Sequence, residues 1–488
     1  MPHLNRLLAA LLLYAWVAQP ALALDLSLPD MGDSSAAHLG GHLESKLGRA
    51  FMRYIRASSD VIDDPLVNSY LQSVGDKLAR HSDTRGRKLT FFAIDDPSIN
   101  AFAGPDGYIG IHSGLMLEAE TESELAAVLA HEIAHVGQRH LARMIEATNQ
   151  MSLPLAGLIL AAAVLGASGA GSAAAAAVVG GQAALVQKQI NFTRANEREA
   201  DNIGIGILAR SQYDPRAMAS FFQKLGRASR TGAVTTPEFL RTHPVSSDRI
   251  AEALARSEKH PFNMAAEDLR FHLVRATFRA DQFGSARSAI RHFESTLREG
   301  RYRNEEAERY GYVQALFRGR QYDKAMQELN KLLAKRPRHP YYRVTRARIQ
   351  LARGNKSAAV ASVNGMETGT TGSHAAALLK AEVMLQARQA GSAYRILKKL
   401  AKSNTDDAHL MRLLGRAAAG SGREAESHRA LAEYHYLNGE LDAAVQQLAI
   451  ALKTPKLGFH EKSKLEARMR EIDAEIRAMT RTSRSNQF

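Results

Sequence analysis

Residues 131–135 read His-Glu-Ile-Ala-His. On a helix, a spacing of four brings His131 and His135 to one face, with Glu132 beside the first. This is H-E-x-x-H, in which two imidazoles grip one zinc ion while the glutamate holds a water. The bland alternative is a pair of histidines that caps or fills a core. Zinc used for catalysis needs a third protein ligand and an open position. The stretch NEREADNIGIGILAR, residues 196–210, offers Glu197 and Asp201 four apart on one helix face. Glu197 is placed to complete a His₂Glu set. Asp201 is placed to accept a hydrogen bond from a ligand imidazole and so set its tautomer. Taken alone, an acidic pair at a helix start more often complements the helix dipole. Glu199 points nearly the opposite way, and His140, roughly 140° round from His135 on a continuous helix, points elsewhere.

Several elements must hold these groups. Thr121 and Glu124 form a T-x-x-E capping box that starts the His131 helix. Residues 88–112, KLTFFAIDDPSINAFAGPDGYIGIH, are the one convincing strand region. Tyr108, Ile109, Gly110 and Ile111 are expected on an edge strand that either pairs with an extended substrate backbone or is merely an edge. From Glu122 onward the periodicity is helical. Beyond about residue 265 it repeats: Ala325, Ala359 and Ala393 fall 34 residues apart in GRQYDKAMQEL, GNKSAAVASV and RQAGSAYRIL. That period resembles tetratricopeptide repeats, stacked pairs of antiparallel helices. Residues 438–448 look like another second helix and 280–290 like an irregular first one. The expected fold is mainly α with a small β-sheet: a metallopeptidase domain over residues 24–262, then an α-solenoid over 265–480.

The opening MPHLNRLLAALLLYAWVAQPALA has a basic residue, an apolar run and an A-x-A site, so it reads as an export signal cleaved near Ala23. The alternative is an uncleaved membrane anchor. The chain has no cysteine, so disulfides and thiolate metal sites are excluded. An exported protein without disulfides fits a bacterial periplasm and makes nucleic acid an excluded partner. Charge is uneven. Residues 1–270 hold 25 Lys+Arg against 28 Asp+Glu, a net of −3, and residues 271–488 hold 39 against 22, a net of +17. The basic half suits anionic lipid, lipopolysaccharide or an acidic protein surface, or else arginine simply covers outer helix faces. From Ala147 to Gln187 no residue is charged. This Ala- and Gly-rich tract is expected to be a helical flap over the site that touches the bilayer surface. Two closely spaced spans are the alternative.

HEIAH, followed by EREAD and then RTHPVSSDRI (241–250), resembles the gluzincin metallopeptidases related to the CAAX prenyl endopeptidases and the HtpX heat-shock proteases. The resemblance extends over nearly the whole mature chain, including the order of export signal, peptidase domain and repeats. It implies zinc bound by His131, His135 and Glu197, with Glu132 as general base and Asp201 orienting a ligand. His243 would be a loop histidine that shuts the site as a fourth ligand or steadies the oxyanion, and Arg249 an arginine near it. The implied activity is a periplasmic endopeptidase that degrades unfolded or misassembled outer-membrane proteins beside the β-barrel assembly machinery, with peripheral membrane contact. A chaperone or scaffold acting through its repeats is the alternative, and an integral membrane protease a third. One departure is Gln212, where that family usually has glycine at a helix end.

Overall fold

The sheet that walls the site is built from three short strands, β1 (Thr90–Ile94), β2 (Ala101–Ala103) and β3 (Tyr108–His112), in the order β1-β3-β2. The structure is a computed structural model that describes residues 41–147, 183–230, 237–261, 266–366, 369, 372–455 and 457–485. The expected export signal and nearly all of the apolar tract lie outside the described residues.

The expectation of an edge strand at Tyr108–Ile111 is corrected by this sheet. β3 is its central strand. It runs parallel to β1, with Tyr108 opposite Thr90 and Ile111 opposite Ala93, and antiparallel to β2, with Ile109 opposite Ala103 and Ile111 opposite Ala101. A turn through Asp106 (φ 59°) and Gly107 (φ 74°) returns the chain against β2. β1 then takes the other side. Ile109 and Ile111 are fully buried on one face, and Gly110 and His112 are buried on the other. A strand covered on both faces fits the middle of a sheet. Among the described residues, the strand with an unpaired edge beside the histidine helix is β2.

Helices α1 (Gly41–Ser58) and α2 (Pro65–Ala79) precede the sheet. After it come α3 (Ser113–Glu118), α4 (Glu122–Gly137), α5 (His140–Ala147), α6 (Ala183–Arg210), α7 (Ala217–Arg230), α8 (Glu238–Thr242) and α9 (Ser247–Ser257). α4 starts as its capping residues require: the Thr121 side chain accepts from the Glu124 N–H. It is buried on every side, from Leu125 through Ala130 and at Ile133, so neighbours on all faces fix its rotation. α6 ends in a Schellman turn. Tyr213 N–H donates to Leu208 O and Gln212 N–H to Ala209 O, with Gln212 left-handed at φ 60°. The family's glycine position is therefore one that demands positive φ.

Helices α10 (Leu269–Gln282) to α21 (Phe459–Ser485) form the helical solenoid. Within it, α13 (Tyr322–Lys335), α15 (Lys356–Asn364) and α17 (Ala390–Leu400) start 34 residues apart, at 322, 356 and 390. Ala325, Ala359 and Ala393 are the fourth residue of each and fully buried, where packed helices admit only a small side chain. The turns before them share the period: Arg320, Gly354 and Arg388 have positive φ, as does Gly422 one period further on. Residues 280–290 straddle the turn into α11 (Ala286–Glu299), whose fourth residue, Ala289, is also buried. Residues 438–448 run into α20 (Leu441–Leu452), with Ala444 in the same place.

Residues 41–488 form one compact unit; its main apolar core runs from Leu66 to Ile472, and a smaller one gathers Phe51, Ile55, Phe92 and Phe102. Tyr341 Oη, on α14 (Pro340–Ala352), donates to Leu66 O at 2.9 Å. Arg348 of the same helix meets Asp64 at 3.2 Å. At the far end, Arg53 of α1 pairs with Glu475 of α21. Among the described residues no helix is long and apolar enough to cross a membrane.

Candidate metal centre

α4 presents His131 and His135 on one face, with their Nε2 atoms 3.0 Å apart. α6 crosses beside it and brings Glu197 within 3.4 Å of both nitrogens. His243, just after α8, completes the group. Its Nδ1 lies 3.0 Å from Glu197 Oε1 and 3.3 Å from His131 Nε2, and the Phe239 ring stacks on it at 4.7 Å. One ligand atom from each of these four residues falls within 4.8 Å of the others. Imidazole nitrogens this close present lone pairs to a common point, and hydrogen bonds alone cannot satisfy all of them. The donor set, three imidazoles and a carboxylate, fits a divalent ion of the zinc type.

Electrostatics agree with that fit. At His131 burial opposes a charge, but Asp201 and Glu197 outweigh it and lift the imidazole to about 10. At His135 burial wins, and the ring falls to about 3. Burial would raise Glu197, yet His243, His131 and His135 hold it well below the ordinary carboxylate range. The pocket thus calls for one positive charge among its donors.

Glu132 is almost fully buried. Burial pushes its carboxyl up, against the pull of His243 and His131, and it accepts the Ala103 N–H of β2. Its Oε1 lies 3.6 Å from His243 Nε2. Asp201 Oδ1 is 3.0 Å from His131 Nδ1, although off the line of an ideal hydrogen bond. Arg249 locks Asp201 through two 2.8 Å bonds from Nε and Nη2, and its Nη1 meets Glu197 at 3.1 Å. Its guanidinium lies over Phe222, 4.9 Å from the ring centroid.

Seven sequence candidates, His131, Glu132, His135, Glu197, Asp201, His243 and Arg249, therefore meet in one place. Tyr108, Ile109, Gly110 and Ile111 stay apart on the central strand, and a Cβ at Gly110 would run into the Phe102 ring. Three residues were missed. α4 stops at Gly137, and Arg139 turns left-handed at φ 52°, so His140 opens a new helix and swings back to His135. Glu199 and Arg143 follow His140 into contact. The one hint in the sequence was Gly137, at the end of the apolar run.

Comparison with known proteins agrees with this geometry. Peptidase family M48 matches residues 65–257, which contain every residue of the centre. The β-barrel assembly-enhancing protease of Escherichia coli (strain K12) is 33% identical over 450 residues, covering 91% of each chain. The chain belongs to peptidase family M48. The protein of the same name from Yersinia pestis is 32% identical over the same share of both chains. A mitochondrial metalloendopeptidase, OMA1 of Arabidopsis thaliana, is 29% identical over 189 residues, 39% of this chain and 36% of its own. As a family M48 member the protein is a metallopeptidase, and the four convergent donors are a group that could hold a metal ion.

Proposed function

We propose that the protein is a zinc endopeptidase of the periplasm that degrades misassembled outer-membrane proteins and assists their assembly. The convergence of His131, His135 and Glu197 with Glu132 beside them carries the peptidase reading. The names of the full-length relatives carry the assembly role. The proposed organisation is a signal cleaved near Ala23, a peptidase domain over residues 24–262 and tetratricopeptide repeats over 265–480. The tract at 147–187 would serve as a flap in peripheral contact with the membrane. Unfolded outer-membrane proteins are the proposed substrates and the β-barrel assembly machinery the partner, met by the basic repeats.

His131, His135 and Glu197 would hold zinc, which when bound polarises the scissile carbonyl and acidifies a water. Glu132 would take a proton from the attacking water and deliver it to the leaving amine, and its buried, raised carboxyl suits both transfers. Asp201 holds His131 by its Nδ1, and Arg249 holds Asp201 and Glu197. An extended substrate segment would pair with the open edge of β2, whose Ala103 already touches Glu132.

A second reading is an assembly chaperone with hydrolysis held off, favoured by one observation. His243 stands as a fourth donor, and a four-coordinate site has no open position. Metal content and cleavage of an unfolded protein, measured for wild type, Glu132→Gln and His243→Ala, decide between them. The peptidase reading expects metal in all three, no cleavage by Glu132→Gln and faster cleavage by His243→Ala. Metal without cleavage in any of them leaves the chaperone reading standing, and no metal in the wild type removes the site assignment.

A further inference from the structure

His135 Nδ1 lies 2.7 Å from His140 Nδ1. His140 Nε2 lies 3.1 Å from Glu199 Oε2, which Arg143 Nη2 meets at 3.0 Å. His140 is nearly buried, and Glu199 and Arg143 are about half-exposed. None of the three belongs to the four-donor group.

The directions of these bonds follow from one requirement. His135 presents Nε2 to the other donors, so its lone pair there must be free and its proton must sit on Nδ1. That N–H faces His140 Nδ1, which must therefore be the acceptor. His140 then carries its own proton on Nε2, where it donates to Glu199. Glu199 accepts from both His140 and Arg143. Each ring nitrogen of His135 and His140 then has one consistent role, and no other assignment leaves His135 Nε2 free.

We infer that His140 is a positioning residue for the metal centre, held by Glu199 and Arg143, which fixes the tautomer and ring orientation of His135. This inference rests on the proposed metal ligands. Asp201 and Arg249 do the same for His131, so each imidazole of the H-E-x-x-H pair has its own acceptor. The two differ in setting: Asp201 is buried with its arginine, whereas the His140 chain ends in half-exposed groups. Removing partners of this type weakens metal binding by roughly 10–100-fold.

The test is chelator-competition titration of zinc into the full chain, with the absorption spectrum of the cobalt(II) form. The variants are His140→Phe, His140→Asn and Glu199→Ala, each checked by melting in the metal-free state. Asparagine keeps an acceptor at the Nδ1 position but loses the reach to Glu199. The expectation is about 10–100-fold weaker zinc binding and shifted cobalt bands for His140→Phe, with most of the affinity restored by His140→Asn. Glu199→Ala should weaken binding several-fold, with metal-free melting unchanged. Zinc affinity within twofold of wild type in His140→Phe, or His140→Asn as weak as His140→Phe, overturns the inference. Should His140→Phe not fold, wild-type affinity in Glu199→Ala overturns it. A wild type that takes up no zinc or cobalt removes the ligand assignment itself.

Discussion

Gly204 of α6 lies directly against the backbone of His131. A Cβ added at Gly204 would come within 3.3 Å of the His131 nitrogen and 3.0 Å of Met218 Cε. The close crossing of α6 and α4 brings Glu197, two turns earlier on α6, to the histidine nitrogens. Gly204→Val should push the helices apart, destabilise by about 1–3 kcal/mol, and weaken metal binding as well. Thermal unfolding and zinc titration of the same preparation check both effects, and an unchanged zinc affinity would contradict the link.

Arg249 compensates two buried carboxylates at once. Arg249→Met leaves Asp201 and Glu197 without it, and stranding a buried charge costs about 3–5 kcal/mol. A bound metal neutralises Glu197 directly, so the loss should be greater in chelator than in excess zinc. Melting curves under the two conditions measure the difference. Equal losses would mean that Arg249 acts on the fold alone.

Gln212 occupies a left-handed position that glycine adopts freely. Gln212→Gly trades about 1–2 kcal/mol of backbone strain against about 0.4–1 kcal/mol of unfolded-state entropy. The expected result is a gain of about 0.5–1 kcal/mol with cleavage unaltered, read from urea midpoints. A loss of stability would show that the glutamine side chain contributes more than its backbone costs.

His339, which opens α14 and packs on Tyr342 at 4.6 Å, is pushed down to about 4 by burial and by Arg336. An unfolded histidine sits near 6.5, so between the two values the unfolded chain binds the extra proton. The stability held by neutral His339 is complete above pH 6.5 and is lost as pH falls through 4, about 3 kcal/mol at most. Urea midpoints at pH 7.5 and 4.5 should therefore fall less in His339→Gln than in wild type. Identical falls would clear His339 of any part in acid sensitivity.

Periodicity revealed what periodicity governs. His131, His135, Glu197 and Asp201 were readable because a spacing of four on a helix leaves no choice of face. The alanines at 325, 359 and 393 were readable because tight helix crossings repeat with the solenoid. His243 and Arg249 came only from a longer motif, since nothing local points a loop histidine at a helix 112 residues earlier. His140 was misplaced by assuming one unbroken helix, Glu199 was missed with it because His140 is its partner, and an arginine in left-handed geometry gives no warning of the break. The central place of β3 was hidden for a different reason: strand order depends on where β1 arrives, which the apolar residues of β3 do not encode.

The contacts of Tyr341 with Leu66 and of Arg348 with Asp64 set the face of α14 against the start of α2. α2 in turn packs on α4, the helix of the two histidines. The repeats are thus a structural wall of the peptidase. Mechanical load applied to them would reach the helix of His131 and His135 across two packed interfaces, α14 on α2 and α2 on α4.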